Sequence, residues 1–120
     1  MSARFLTPLV LAKPPGAEFW TVDEPFVFDS PALGVTITVP RGFLTDLASV
    51  PRLPVIYLLT GATGDEPAVI HDFLYTTKPC TRAQADAVFY EAAIACGMPR
   101  WRAWLMWAGI RAGGASHWSA

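Results

Sequence analysis

The chain has 120 residues, a size typical of one domain, and 52% of them are hydrophobic. Nine Lys and Arg residues against ten Asp and Glu residues give a formal net charge of −1, which argues against nucleic acid as a partner. No segment reaches the roughly 18 apolar residues of a membrane span, and Pro8 breaks an N-terminal run that lacks a signal-peptide cleavage site. We expect one domain over residues 1–120, made in the cytoplasm.

The first half of the chain predicts β-structure between about residues 4 and 45. The segment around Pro8 fits only a short strand or an edge strand, because proline cannot donate a ladder hydrogen bond. The apolar segments EFWTV and PFVFD follow it, on either side of Asp23-Glu24. In GVTITVP, valine and isoleucine alternate with threonine, which is typical of a half-buried strand.

The second half predicts three helices between about residues 65 and 113. An acidic cap and an early proline place the first start near residues 65–67. Thr81 and Gln84 have the spacing of a capping box, and Gly97 suits the end of that second helix. The third helix begins near Pro99 and runs to the glycines at 113–114. The sequence therefore predicts an α+β fold, a small antiparallel sheet followed by three packed helices.

Two features of these helices concern packing and redox state. The third helix carries apolar residues at helical spacing, which we interpret as core, with an exposed partner-binding patch as the alternative. These residues are Trp101, Trp104, Leu105 and Ala108. Cys80 and Cys96 bracket the second helix, about 24 Å apart at 1.5 Å per residue. That separation is too long for a disulfide, so we expect free thiols, and their spacing does not suit zinc.

A histidine and an aspartate stand side by side in the first helix, within AVIHDFLY. His71, Asp72 and Tyr75 share one stripe of that helix, while Asp86 on the second helix lies beside aromatic residues. A buried carboxylate needs a partner, and the short link KPC makes the two helices neighbours. We expect His71 and Asp86 to meet.

This pair has two interpretations. In the catalytic one, Asp86 orients His71 as a base for water, and Asp72 binds a divalent cation such as calcium. Asp46 and Ser49, in RGFLTDLASVPR, would then line the site with Tyr75. In the structural one, the histidine is a satisfied core residue and the acids serve helix ends and turns.

The blocks VPRGFLTDLASVPR, AVIHDFLY, TRAQADAVFYEAAIACG and AGIRAGGASHW together resemble a known family. It is the family of phage and prophage proteins catalogued as domain of unknown function 1353. The resemblance implies a phage or prophage origin, other phage proteins as partners, and no established activity.

A more local resemblance, over about 30 residues, is to secreted and viral phospholipase A2 enzymes. Their active helix carries a His-Asp pair followed by tyrosine, as in HDFLY, and their second helix carries an aspartate that pairs with the histidine. The resemblance implies that His71 is the base, Asp86 its partner and Asp72 a calcium ligand. The chain departs from these enzymes in lacking their glycine-rich calcium loop.

Two functions therefore remain open. The first, which the missing calcium loop favours, is a structural or assembly role as an accessory or tail-associated virion protein. The second is a small phage hydrolase that acts on a lipid ester or on peptidoglycan through His71 and Asp86.

Overall fold

The computed structural model describes residues 2–45, 65–115 and 118. Six short strands form two three-stranded antiparallel sheets within these ranges, β4 lying between β1 and β5 in one sheet and β3 between β2 and β6 in the other. Their bounds are β1 Arg4–Phe5, β2 Leu11–Ala12, β3 Trp20–Val22, β4 Phe26–Ser30, β5 Val35–Val39 and β6 Leu44–Thr45. Pro8 lies between two edge strands, as its missing amide hydrogen requires.

The longest strand pair is the hairpin of β4 and β5, in which Phe28 lies opposite Ile37. Gly34 closes its turn with a φ of +71°, a conformation that side chains other than glycine rarely adopt, and its amide donates to the Ser30 carbonyl over 2.8 Å. On β5, Ile37 and Val39 are buried and the threonines are exposed, as the alternation predicts, while Val35 at the strand start is exposed.

Three helices follow in the described residues: α1 Asp65–Thr77, α2 Arg82–Ala95 and α3 Arg100–Gly113. The capping box of α2 is present, because Thr81 accepts from the Gln84 amide over 3.1 Å and Gln84 accepts from the Thr81 amide over 2.9 Å. Gly97 follows the C-terminus of α2 with a φ of +89°. The predicted α+β class is therefore confirmed.

The hydrophobic core has two parts. The first lies between the β1-β4-β5 sheet and the helices α1 and α2; its largest members are Phe26, Phe28, Ile70 and Leu74. The second lies between α2 and α3 and contains Phe89, Met98, Met106 and Ile110. Helix α2 contributes to both parts, so it is the element on which the other helices converge.

The interpretation of the tryptophan stripe of α3 as core is wrong. Trp101 is 57% exposed and Trp104 is 54% exposed, while Ala103, Met106 and Ile110 on the opposite side are buried. Small and flexible side chains let α3 approach α2 closely, so the bulky indoles occupy the outer side. The alternative of an exposed apolar patch is the one the structure shows.

The two cysteines are both free, as their separation requires. No helix in the described ranges is long and apolar enough to cross a membrane. Asp46 and Ser49 lie outside the described residues, so their place beside the site remains a prediction.

Candidate functional site

The candidate site begins on α1, where His71 and Tyr75 stand one helical turn apart. Their rings lie 4.1 Å apart between centroids, and Phe89 from α2 meets the imidazole edge-on at 5.5 Å. His71 is 1% exposed and Tyr75 is 7% exposed, so both side chains are buried. The surrounding residues of α1 are apolar, so the polar stripe faces the inside of the helix bundle.

The partner of both side chains is Asp86 on α2, which is fully buried. Its Oδ1 atom lies 2.7 Å from His71 Nε2 and accepts a 2.6 Å hydrogen bond from the Tyr75 hydroxyl. Because an ionised carboxylate can only accept, the hydrogen of the imidazole must lie on Nε2. The structure thus brings together three of the predicted site residues.

Among the described residues, two arginines also contact this carboxylate, and the sequence predicted neither of them as part of the site. Arg111 Nη1 on α3 donates to Asp86 Oδ2 over 2.7 Å, and Arg82 Nη1 lies 3.6 Å from the same atom. The i,i+4 spacing of Arg82 and Asp86 on α2 is a local signal that could have identified Arg82. Arg111 comes from another helix, and no local pattern identifies it.

Arg82 also contacts the C-terminal end of α3. Its two terminal nitrogens donate to the carbonyls of Ile110 and Arg111 over 3.5 and 3.4 Å. These carbonyls belong to the negative end of the helix dipole, where a cation is stabilising. The guanidinium therefore joins α2 to α3 in addition to compensating the carboxylate.

The electrostatics of the pair follow from burial and from these donors. Burial lowers the pKa of the His71 imidazole below its ordinary value, although the hydrogen bond to Asp86 acts in the opposite direction. Burial alone would raise the pKa of the Asp86 carboxyl, but the donors His71, Tyr75 and Arg111 outweigh it and lower that pKa. The pair therefore consists of a neutral imidazole and an ionised carboxylate at neutral pH.

One buried atom of the site, Nδ1 of His71, has no hydrogen-bond partner among the described residues. With the hydrogen on Nε2, Nδ1 carries a lone pair and can accept a proton. A buried polar atom left unpaired costs about 1–3 kcal/mol, so its presence in the core is a reason to consider a ligand or a water there.

The predicted cation site has less support in the described residues. Asp72 is half-buried and follows His71 on α1, at a different angle of the helix. Among residues 2–45, 65–115 and 118, no group of three or more His, Cys, Asp or Glu side chains could hold a metal ion. Calcium prefers six to eight oxygen ligands, so these residues alone do not form a calcium site.

The fold and the site together define an α+β protein with a buried charged cluster at the meeting point of three helices. The family model described as "Protein of unknown function (DUF1353)" matches residues 20–110, so the chain belongs to that family. The matched range includes His71, Tyr75, Asp86 and Arg82, while Arg111 lies one residue beyond it. Comparison with curated proteins and with solved structures gave no match.

Proposed function

We propose that this chain is a small hydrolase in which His71 is the general base and Asp86 is its orienting partner. The observation that carries the proposal is that the two ring nitrogens of His71 have different surroundings. Nε2 is held at 2.7 Å from a carboxylate, and Nδ1 is a buried lone pair with no described protein partner. A base in a hydrolase needs this arrangement, with one nitrogen fixed and the other available to water.

The chemistry follows from this arrangement. A water molecule gives a proton to His71 Nδ1 while its oxygen bonds to the carbonyl carbon of the substrate. The imidazolium formed is stabilised by the ionised Asp86, which already accepts from Nε2. The proton on Nδ1 then passes to the leaving oxygen as the ester bond breaks, which returns the imidazole to its neutral state.

A lipid ester is the substrate class that we propose. The support is the resemblance of HDFLY to the active helix of phospholipase A2 enzymes, extended here by the aspartate of α2. Tyr75 adds to it by donating to the same Oδ1 atom as His71. Asp72 occupies the position of the calcium ligand in that resemblance, but the described residues do not form a cation site, so no step above depends on one.

The proposal requires that water and substrate reach His71, which is 1% exposed in this structure, so the site must open. Diethyl pyrocarbonate acylates accessible imidazole nitrogens, and a working base must react at Nδ1. We expect acylation of His71, detected by peptide mass spectrometry, to accelerate when phosphatidylglycerol vesicles are added and the site opens. Failure of His71 to react under any of these conditions would contradict the proposal.

The decisive test is hydrolysis of phosphatidylglycerol vesicles and, in a parallel assay, of purified peptidoglycan, each with calcium or with a chelator. We expect fatty acid release by the wild type and a loss of about 100-fold or more in His71→Gln and Asp86→Asn. Asp23→Asn, which changes an exposed acid far along the chain from the pair, is the matched control. Release of muropeptides alone would replace the lipid substrate by a cell-wall bond.

Because the two variants change buried residues, the pH profile of the wild type provides a second measurement. The rate should fall as pH decreases through the pKa of His71, since protonated imidazole cannot accept a proton. A wild type without activity on either substrate would rule out the hydrolase.

A structural or assembly role in a phage particle is the second candidate, and the burial of His71 and Asp86 favours it. Asp86 connects α1, α2 and α3 through hydrogen bonds from His71, Tyr75 and Arg111 and an ion pair with Arg82, which a purely structural cluster would also do. Mass spectrometry of particles released from an induced host would test this role. Finding the chain in purified particles, with no hydrolysis in the assays above, would support it.

A further inference from the structure

The outer side of α3 is apolar in spite of its exposure. Trp101, Trp104, Leu105 and Ala108 share this side of the helix, and we call them the tryptophan face. Exposed large hydrophobic residues elsewhere in the described chain stand on the strands or beside them, whereas here two indoles lie about one turn apart. Such a contiguous patch marks an interaction surface more often than isolated apolar residues do.

The charges of α3 are all of one sign. The helix contains Arg100, Arg102 and Arg111 and no acidic residue, which leaves six basic and ten acidic residues to the rest of the chain. Arg100 is exposed at the start of the helix. The guanidinium of Arg102 lies 5.5 Å from the centre of the Trp101 ring, so a cation borders the tryptophan face.

A shallow apolar cavity of about 320 Å³ adjoins the tryptophan face. It is lined by Ala87 and Tyr90 of α2 and by Trp104 and Trp107 of α3. The two indoles lie 6.5 Å apart between centroids. The apolar surface is therefore larger than the helix alone and includes a recess between two helices.

We propose that the tryptophan face binds an anionic lipid surface. Indole rings favour the boundary between headgroups and acyl chains, and arginines beside them pair with anionic headgroups. The net negative charge of the rest of the chain is repelled by the same surface, so α3 would face the lipid. A second copy of the chain fits less well, because two such faces would bring arginines of like charge together.

This inference does not rest on the proposed hydrolysis, because α3 could bind vesicles whether or not His71 is catalytic. The binding is peripheral: α3 would lie in the plane of the headgroups with its tryptophan face inserted. Because attraction to anionic headgroups is screened by salt, affinity should fall as ionic strength rises.

The test is sedimentation of the full chain with phosphatidylglycerol–phosphatidylcholine vesicles, compared with vesicles of pure phosphatidylcholine. We expect binding to the first and at least about tenfold weaker binding to the second. Trp101→Ala/Trp104→Ala should reduce affinity at least about tenfold, and Arg100→Gln about fivefold. The matched control is Phe19→Ala/Leu44→Ala, which removes two apolar residues of the β half that are 40% and 58% exposed. We expect this control to bind the vesicles with the affinity of the wild type.

Two results would overturn the proposal. One is no sedimentation with phosphatidylglycerol vesicles, and the other is equal binding by the wild type and the double tryptophan variant. A wild type that ignores vesicles but elutes as a dimer, and becomes monomeric on loss of the two tryptophans, would assign the face to self-association instead. Far-UV circular dichroism confirms that the variants fold, since both indoles lie outside the core.

Discussion

The Arg111 guanidinium lies 2.7 Å from the Oδ2 atom of Asp86, joining the last turn of α3 to the buried carboxylate of α2. Twenty-five residues separate the two in sequence. The contact compensates a charge that would otherwise be costly to bury. It also places α3 in the same cluster as the His71 side chain of α1.

Removing this arginine should destabilise the fold. We expect Arg111→Met to lower the free energy of unfolding by about 1–3 kcal/mol, because Asp86 loses one of the two cations that the described residues place beside it, while Arg82 remains. This loss of stability is smaller than that expected for a fully buried ion pair, because the Arg111 side chain is 34% exposed and partly screened by solvent. Urea denaturation measures the change. Arg41→Met, at an exposed arginine, should stay within about 0.5 kcal/mol of the wild type.

Stability should decrease at acidic pH because of His71. Its pKa in the folded state is lower than the ordinary value of 6.5, since burial disfavours the imidazolium. The unfolded chain therefore binds the proton first, and stability is lost as pH falls from about 6.5 towards the folded pKa. The Asp86 carboxyl, whose pKa is also lowered, adds a further loss below its ordinary value of 3.8.

Denaturation curves between pH 8 and pH 5, collected at about half-unit steps, measure this dependence on His71. In His71→Gln the decline below about pH 6.5 should disappear, whereas His117→Gln, at the second histidine of the chain, should retain it. Burial raises the pKa of the Glu91 carboxyl above its ordinary value of 4.5, whereas it lowers the pKa of His71. The stability that Glu91 contributes is therefore present below pH 4.5 and is lost as pH rises through its folded pKa. A decline that persists in His71→Gln would show that another group is responsible.

A methyl group at Gly114 should disturb the charged cluster. A Cβ atom there would lie 2.6 Å from the Ile110 carbonyl, 2.7 Å from the Tyr75 hydroxyl and 3.2 Å from Arg82 Nη1. We expect Gly114→Ala to cost about 1–3 kcal/mol, as overpacking does. Gly113→Ala is the matched control, because nothing lies within 4 Å of its Cβ position and it should be neutral or slightly stabilising. Thermal denaturation of both variants tests the difference.

The capping box of α2 should contribute measurably to stability. Thr81→Ala removes the acceptor for the Gln84 amide and should cost about 1 kcal/mol. Thr81→Ser keeps the hydroxyl and should restore most of the loss. If serine and alanine give the same unfolding midpoint in urea, the hydroxyl does not stabilise the helix start.

The helices and the longer strands could be predicted from local signals, and the structure bears them out. The capping box, Gly97 and the alternation in β5 act within a few residues, so their physics can be read along the chain. The stripe that places His71 and Tyr75 together is local for the same reason. Its orientation towards Asp86 followed from the short link and from the cost of an unpaired buried charge.

The sequence by itself determined that a buried carboxylate on α2 needs a partner, because charge and helical spacing are properties of the residues. Only the tertiary structure decided that Arg111 of α3 supplies one of the cations. Arg82 stands one turn before Asp86 on α2 itself, but Arg111 reaches Asp86 only because α3 crosses α2 beside it, and that crossing depends on the small residues at the interface. The same packing decided that Trp101 and Trp104 are exposed. Periodicity shows that Trp101 and Trp104 share a side of α3, but which side is buried depends on what fits against α2.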